Sequence, residues 1–397
     1  MGDIRERILA QASELKDEII RLRRHFHMNP ELSFSEDETS SFICRWLKKE
    51  GIDYETGMSG TAIIATIKGN GKGKKIIALR AEMDALPIIE KNSESYASTC
   101  RGKMHACGHD GHMAMLLGTA LIINGMRDHF GGTVKLIFQP GEEKSPGGAR
   151  LLIESGAFNN QKPDMIIAQH VLPELETGKI GYKAGSYMAS CDEIYITVKG
   201  KGGHAALPGN STDQIYIASK LVVNLREEMA RQISINQIPT VLGIGRISGE
   251  GATNVIPEKV EIAGTFRTFD ENWRAEGLAL VKKIADATVA AFGIEAEVRI
   301  AEGYPVLINN EDLTAKAMEF TGELIGSDRI ETFGHRMSSD DFSFYSAVAP
   351  SLYYRVGIRK PGAEIRKLHT ADFDIDENGL QTGVANLTWL VYRFMAE

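Results

Sequence analysis

Short apolar runs alternate along this chain with stretches in which apolar residues recur every three or four positions. Ile4, Ile8, Leu15, Ile19 and Leu22 share helical spacing, and Asn29-Pro30 stops the run. "TAIIATI" (61–67) and "KIIALRAEMD" (75–84) read as neighbouring strands across the turn "KGNGKGK", whose glycines and lysines make a poor strand. Residues 110–125 and 146–156 read as helices, and "TVKLIFQ" (133–139) and "MIIAQHV" (165–171) as apolar strands. Near-continuous apolar strands separated by helices predict a mostly parallel sheet covered on both faces, an α/β architecture.

From about residue 188 the rhythm changes. "EIYITVKGKGGH", "TVLGIGRISG", "KVEIAGTFRTF" and "EAEVRIAE" alternate like strands of an antiparallel sheet, with helical stretches at 211–233 and 271–292. That β-α-β-β-α-β order predicts an α+β unit of ferredoxin-like type. Helix–strand alternation then resumes, with "SLYYRVG" as a strand and a final helix near 376–395. The expected organisation is an α/β domain made of residues 1–187 and 301–397, interrupted by an inserted domain of residues 188–300.

Composition narrows the class. At 397 residues, with 43% hydrophobic and 25% charged positions, the chain is long enough for two domains and apolar enough to fold without staples. The net charge of −8 is spread along the chain, which argues against nucleic acid as a partner. No run approaches the ~20 apolar residues that span a bilayer, and the charged N-terminus lacks a signal-peptide core. Cys44, Cys100, Cys107 and Cys191 show no disulfide framework. These features together predict a cytoplasmic enzyme with no membrane partner.

"HACGHDGH" (105–112) concentrates three histidines, a cysteine and an aspartate in one short stretch. It reads as a metal site, as a cysteine nucleophile with a nearby histidine, or as a polar loop. Asp84, the pair Glu142 and Glu143, and His170 fall at the ends of three separate apolar strands, and loops at the carboxyl ends of such a sheet converge on one crevice. Pro140-Gly141 breaks the strand before the glutamates, so both can face that crevice, one for metal and one for protons. Cys107 and His109 can both face one ion if Gly108 bends the chain. Thiolate, imidazole and carboxylate together suit zinc or a similar first-row ion.

"RAEMDALP", "HACGHDGH", "FQPGEE", "AQHV", "GKGGHAALP", "TNVIP", "GTFRT" and "LHTADF" occur in an order that resembles the M20 metallopeptidase family, in its amidohydrolase branch, across essentially the whole chain. That branch contains hippurate hydrolases, plant auxin-conjugate hydrolases, N-acetyldiaminopimelate deacetylases and aminobenzoyl-glutamate hydrolases. The resemblance implies that the inserted domain is a lid and a dimerisation surface, giving a homodimer. It also implies two divalent metal ions per subunit, zinc or manganese with cobalt or nickel as alternatives, held by Cys107, His109, Glu143, His170 and His369. In the same way it makes Glu142 the general base, Asp84 the carboxylate that orients a ligand, and His204 a lid histidine that reaches a reaction centre. Asn254 and Arg267 become the residues that hold a substrate carboxylate. The implied reaction is hydrolysis of N-acyl amino acids by a metal-activated water, with a metallo-carboxypeptidase or dipeptidase as the nearest alternative. A cysteine hydrolase using Cys107, or a non-catalytic binding protein, stands further off. Two departures from the branch pattern are Glu82, where aspartate is usual, and "SSDDFSF" (338–344), where a glutamate usually precedes the second aspartate. His25 and His27 are expected as capping or surface groups. His105, Asp110 and His112 are expected to support ligands or cap a helix.

Overall fold

The computed structural model describes residues 2–397, and the chain divides into two compact units. The first comprises residues up to 185 with 308–334 and 341–397. The second comprises 186–307 and a short return at 335–340.

The first unit is built on an eight-stranded mixed sheet. Its strands run in the order Asp53–Thr56, Ile63–Lys68, Gly131–Gln139, Gly71–Glu82, Met165–Glu176, Ser351–Arg359, Ile180–Tyr182 and Ile330–Thr332. The four central strands, from 131–139 to 351–359, are mutually parallel and largely buried on both faces, mostly by apolar side chains. Helices Gly2–Glu14, Lys16–Met28, His109–Gly125, Glu311–Ile325 and Asn378–Ala396 share one buried apolar cluster with that sheet. Helix 109–125 is buried on nearly every side, which explains an apolar sequence without a polar stripe.

One expected pairing is corrected. Strands 63–68 and 71–82 are not neighbours, because 131–139 lies between them, antiparallel to the first and parallel to the second. The glycine-rich stretch does not close a hairpin. Its Gly69 and Gly71 N–H groups donate to Gly132 and Phe130 carbonyls, both at 3.0 Å, wrapping the start of the intervening strand.

The second unit is an antiparallel sheet in the order Thr240–Ser248, Lys259–Thr268, Cys191–Lys199, Ala296–Tyr304, the ferredoxin-like arrangement. Helices Gln214–Asn236 and Glu271–Ala290 pack on one face around Ile194, Ile196, Val260, Leu221 and Val281. Asp213 and Asp270 cap the two helices, each accepting a backbone N–H three residues on.

Candidate metal centre

Strand 71–82 delivers Asp84 just beyond its end, and strand 131–139 delivers Glu142 and Glu143 after Pro140-Gly141. His170 does not end its strand, which runs on to Glu176 because residues 351–359 continue to pair with it. It instead lies inside the sheet, with its Nδ1–H given to the Val171 carbonyl at 2.7 Å, so Nε2 faces the thiol. Cys107 and His109 flank Gly108 at the N-terminus of helix 109–125. Gly108 has φ 88°, and a Cβ there would meet Val171 Cγ2 at 2.4 Å. Glycine is therefore what permits the left-handed bend between Cys107 and His109.

The donors converge. Cys107 Sγ lies 3.5 Å from His170 Nε2 and 3.4 Å from His369 Nε2, and His369 Nε2 lies 3.2 Å from Glu143 Oε1. His109 donates its Nδ1–H to the Asp84 carbonyl at 2.8 Å, which leaves Nε2 inside the site, 4.0 Å from Glu142 Oε2. That buried Nε2 has no hydrogen-bond partner among the described residues. One donor atom each from His109, Glu142 and Glu143 lie within 4.8 Å of one another, and so do those of Cys107, Glu143 and His369. His369 is reached with φ 62°, a left-handed conformation that costs a non-glycine residue energy and recurs at functional sites.

The electrostatics favour a cation. Burial opposes a charged imidazole at His109, yet Asp84 and Glu82 outweigh it and push its pKa up to about 10. Burial, then the Glu143 and Glu142 carboxylates, push the Cys107 thiol well above its ordinary value. An orphaned imidazole nitrogen, a thiol and carboxylates crowded into one negative field fit a divalent first-row ion.

A family model for peptidase family M20/M25/M40 matches residues 78–393. The chain belongs to that family. Over 99% of both chains it is 36% identical to thermostable carboxypeptidase 2 of Saccharolobus solfataricus. It is 39% identical to an N-acyl-L-amino acid amidohydrolase of Geobacillus stearothermophilus, over 78% of this chain and 82% of that one. Among solved structures, a dinuclear metal-binding M20 peptidase from Bacillus subtilis superposes with a TM-score of 0.83 at 32% identity, covering 97% of this chain and 99% of that one. This M20 protein is a metal-dependent amidohydrolase.

Behind the M20 donors lies a buried polar layer. Val171 N–H donates to His112 Nε2 at 3.0 Å, so His112 Nδ1–H donates to Glu82 Oε2 at 2.8 Å. Both His112 nitrogens are thus engaged, and its ring lies 4.5 Å from that of His170. Arg80 donates to Glu82, to Gln139 Oε1 at 3.0 Å and to Asp341 Oδ1 at 2.6 Å. The unusual Glu82 is thus clamped between Arg80 and His112, and Asp340, at the other departure, is also buried. Arg80 escaped sequence reasoning, although Arg80 and Glu82 two apart in an apolar strand mark one polar patch on a buried face.

His27 corrects the expectation of a surface group. It is fully buried, with Nδ1 2.7 Å from Asp110 Oδ2 and Nε2 3.1 Å from Glu90 Oε1. Its helix turns that face to the core rather than ending at the surface. Burial disfavours its charge, but the two carboxylates outweigh it and raise its pKa. His25 stacks on Phe42 with ring centroids 3.9 Å apart. His105 is buried, and burial pushes it down to about 3, so it stays neutral.

In the second unit, His204 sits on the two-residue strand Gly203–His204, paired with Val255–Ile256, and Ala205 N–H donates to the Asn254 carbonyl at 3.0 Å. His204 and Asn254 are therefore adjacent and exposed. Arg267 stands apart from that ribbon on strand 259–268 and donates to the Met337 carbonyl at 2.8 Å.

Proposed function

We propose that this enzyme hydrolyses the amide bond of N-acyl amino acids at a two-metal centre held by Cys107, His109, Glu143, His170 and His369. The observation that carries the reading is the division of labour between adjacent glutamates. Glu143 belongs to both donor groups, with Cys107 and His369 and with His109, whereas Glu142 joins only the second of these, facing the orphaned Nε2 of His109.

Divalent ions, when bound by those donors, would supply Lewis acidity to the scissile carbonyl and to the attacking water. Glu142 takes that water's proton and returns it to the leaving nitrogen. Asp84 holds the His109 Nδ1–H side and fixes the tautomer that presents Nε2. Although burial raises it, hydrogen bonds from His109, Ser33 and the Glu143 N–H keep the Asp84 carboxyl below its ordinary value, so it remains a carboxylate. His204 Nδ1 accepts the Ala206 N–H at 3.1 Å, which places its proton on Nε2 for donation to the developing oxyanion. Arg267, a planar fork of donors, holds the carboxylate of the leaving amino acid, and Asn254, which lies with His204 on the ribbon at the far end of that strand, joins it from the partner subunit of the proposed dimer.

The second unit is the proposed dimerisation surface. Val241 and Ile247 are exposed on its edge strand, and Val223 and Ile235 on its helix, a pattern that calls for cover. A carboxypeptidase reading is supported by the full-length likeness to the Saccharolobus enzyme and uses the same site on a peptide acyl group. The raised Cys107 thiol argues against a cysteine hydrolase, whose nucleophile needs a lowered pKa.

The test is a panel of N-acyl amino acids and dipeptides, assayed after chelation and after return of zinc, manganese, cobalt or nickel. Chelated protein is expected to be inactive and each productive metal to restore turnover, fastest on the N-acyl amino acids. Turnover undiminished by complete metal removal refutes the reading.

A further inference from the structure

Glu142 is gripped from both sides along its backbone. Gly141 N–H donates to Glu36 Oε1 at 2.9 Å, and Glu143 N–H donates to Asp84 Oδ2 at 2.9 Å. Each peptide flanking the base is therefore held by a buried carboxylate from elsewhere in the chain.

Asp84 is an expected member of the site, but Glu36 is not. It is fully buried and makes no ion pair among the described residues. Its three donors are neutral: besides Gly141, the Phe34 N–H reaches Oε1 and the Thr61 hydroxyl reaches Oε2, both at 2.9 Å. Burial and the neighbouring Asp84 push its carboxyl up to about 7, so this is an unfavourable place for an acid.

The backbone beside it is unfavourable too. Phe34 has φ 65°, and its ring fills the space that a Cβ at Gly141 would occupy, 2.3 Å from the nearest ring carbon. Gly141 itself has φ 62°. Ser33 completes the contact by donating to Asp84 Oδ2 at 2.7 Å. Residues 33–36 thus hold the 140–143 turn at both ends, with a strained backbone and a desolvated carboxylate concentrated where strain is paid back as geometry.

We propose that Glu36 is a positioning residue for the reaction: by holding the Gly141 peptide it sets the reach of the Glu142 carboxylate. This rests on the reading of Glu142 as general base. A base displaced by about 1 Å loses roughly 100-fold in rate while substrate and metal binding, made by other groups, persist.

The experiment compares Glu36→Ala and Glu36→Gln with the wild type on an N-acyl amino acid that the metal-loaded enzyme hydrolyses, with metal content measured on the same samples. Glu36→Gln keeps a carbonyl oxygen for the two N–H groups and turns its amide toward the Thr61 oxygen. Glu36→Ala is expected to lower kcat by about 100-fold at unchanged KM and metal content, and Glu36→Gln to stay close to wild type. Thr61→Val, which removes one bond and leaves the Gly141 contact, is expected to lower kcat only slightly and serves as the milder variant if Glu36→Ala does not fold. The inference is overturned if Glu36→Ala keeps its kcat, if its loss follows metal content, or if Glu36→Gln is damaged as badly as an inactive Ala variant. Where Glu36→Ala yields no folded protein, a Glu36→Gln enzyme with strongly reduced kcat overturns it as well. Glu142→Ala is run in parallel. If it turns over normally, the base reading has failed; if it is inactive while Glu36→Ala is normal, the positioning inference alone has failed.

Discussion

At the scale of single residues, the proposed function gives the neighbouring glutamates Glu142 and Glu143 different tasks, which the break in the strand before them permits. Glu142→Ala is expected to keep its metals by elemental analysis and to lose turnover by several orders of magnitude, whereas Glu143→Ala loses metal. The opposite pattern means the two roles are exchanged. Glu36 carries a separate signature in stability. In chelated protein its carboxyl is raised from an ordinary value near 4.5 to about 7, so the folded state binds the proton more tightly than the unfolded chain. Its contribution is full below pH 4.5 and is lost as pH rises through about 7. Urea unfolding of wild type relative to Glu36→Gln should therefore show a decline on the order of 3 kcal/mol across that window. A difference that is flat with pH contradicts the assignment.

Among elements, the junction that matters is where helix 16–28 meets the start of helix 109–125. Arg23 is fully buried there and donates to Asp110 Oδ2 at 2.8 Å and to Asp374 Oδ1 at 2.7 Å. Burial opposes its charge, but Asp110 and Asp374 hold its pKa well above the ordinary value. The guanidinium thus ties the residue after the proposed ligand His109 to the segment that follows His369. The backbone adds a second tie, His369 N–H to the Ala106 carbonyl at 2.8 Å. Removing one partner of a buried ionic cluster leaves charge uncompensated, so Arg23→Met is expected to cost about 3–5 kcal/mol in chemical denaturation. Arg24→Met, one position on and paired with Glu377 at the surface, is expected to cost at most about 1 kcal/mol. Equal losses would show that the Arg23 cluster is no more than a surface pair in effect.

On the scale of the whole molecule, the proposed homodimer makes its own prediction. If the second unit supplies His204 to a partner's metal centre, mixing inactive Glu142→Ala with inactive His204→Ala subunits regenerates activity once subunits exchange. A mixture that stays inactive, with exchange demonstrated and both parents folded and metal-loaded, places His204 in its own chain's site or in none. The sequence by itself determined the alternation of buried strands and helices, the ferredoxin-like order of the second unit, and the clustering of histidine, cysteine and carboxylate residues near the candidate metal centre. These are written in local periodicity and in short motifs, which depend on neighbours a few positions apart. Tertiary structure decided the rest. Strand 131–139 entered between 63–68 and 71–82 because strand order is settled by which edges can pair, and nothing local to a glycine-rich turn records that choice. His27 looked like a helix-end histidine, yet became buried because Asp110 and Glu90 arrive from distant segments to satisfy it. Glu36 is a lone acid in a polar stretch, and its place under the Gly141 peptide exists only once residues 105 positions apart are packed together. Donor chemistry is carried by single side chains and is legible in order along the chain. The orientation of those donors depends on hydrogen bonds between remote segments, and only the folded chain supplies them.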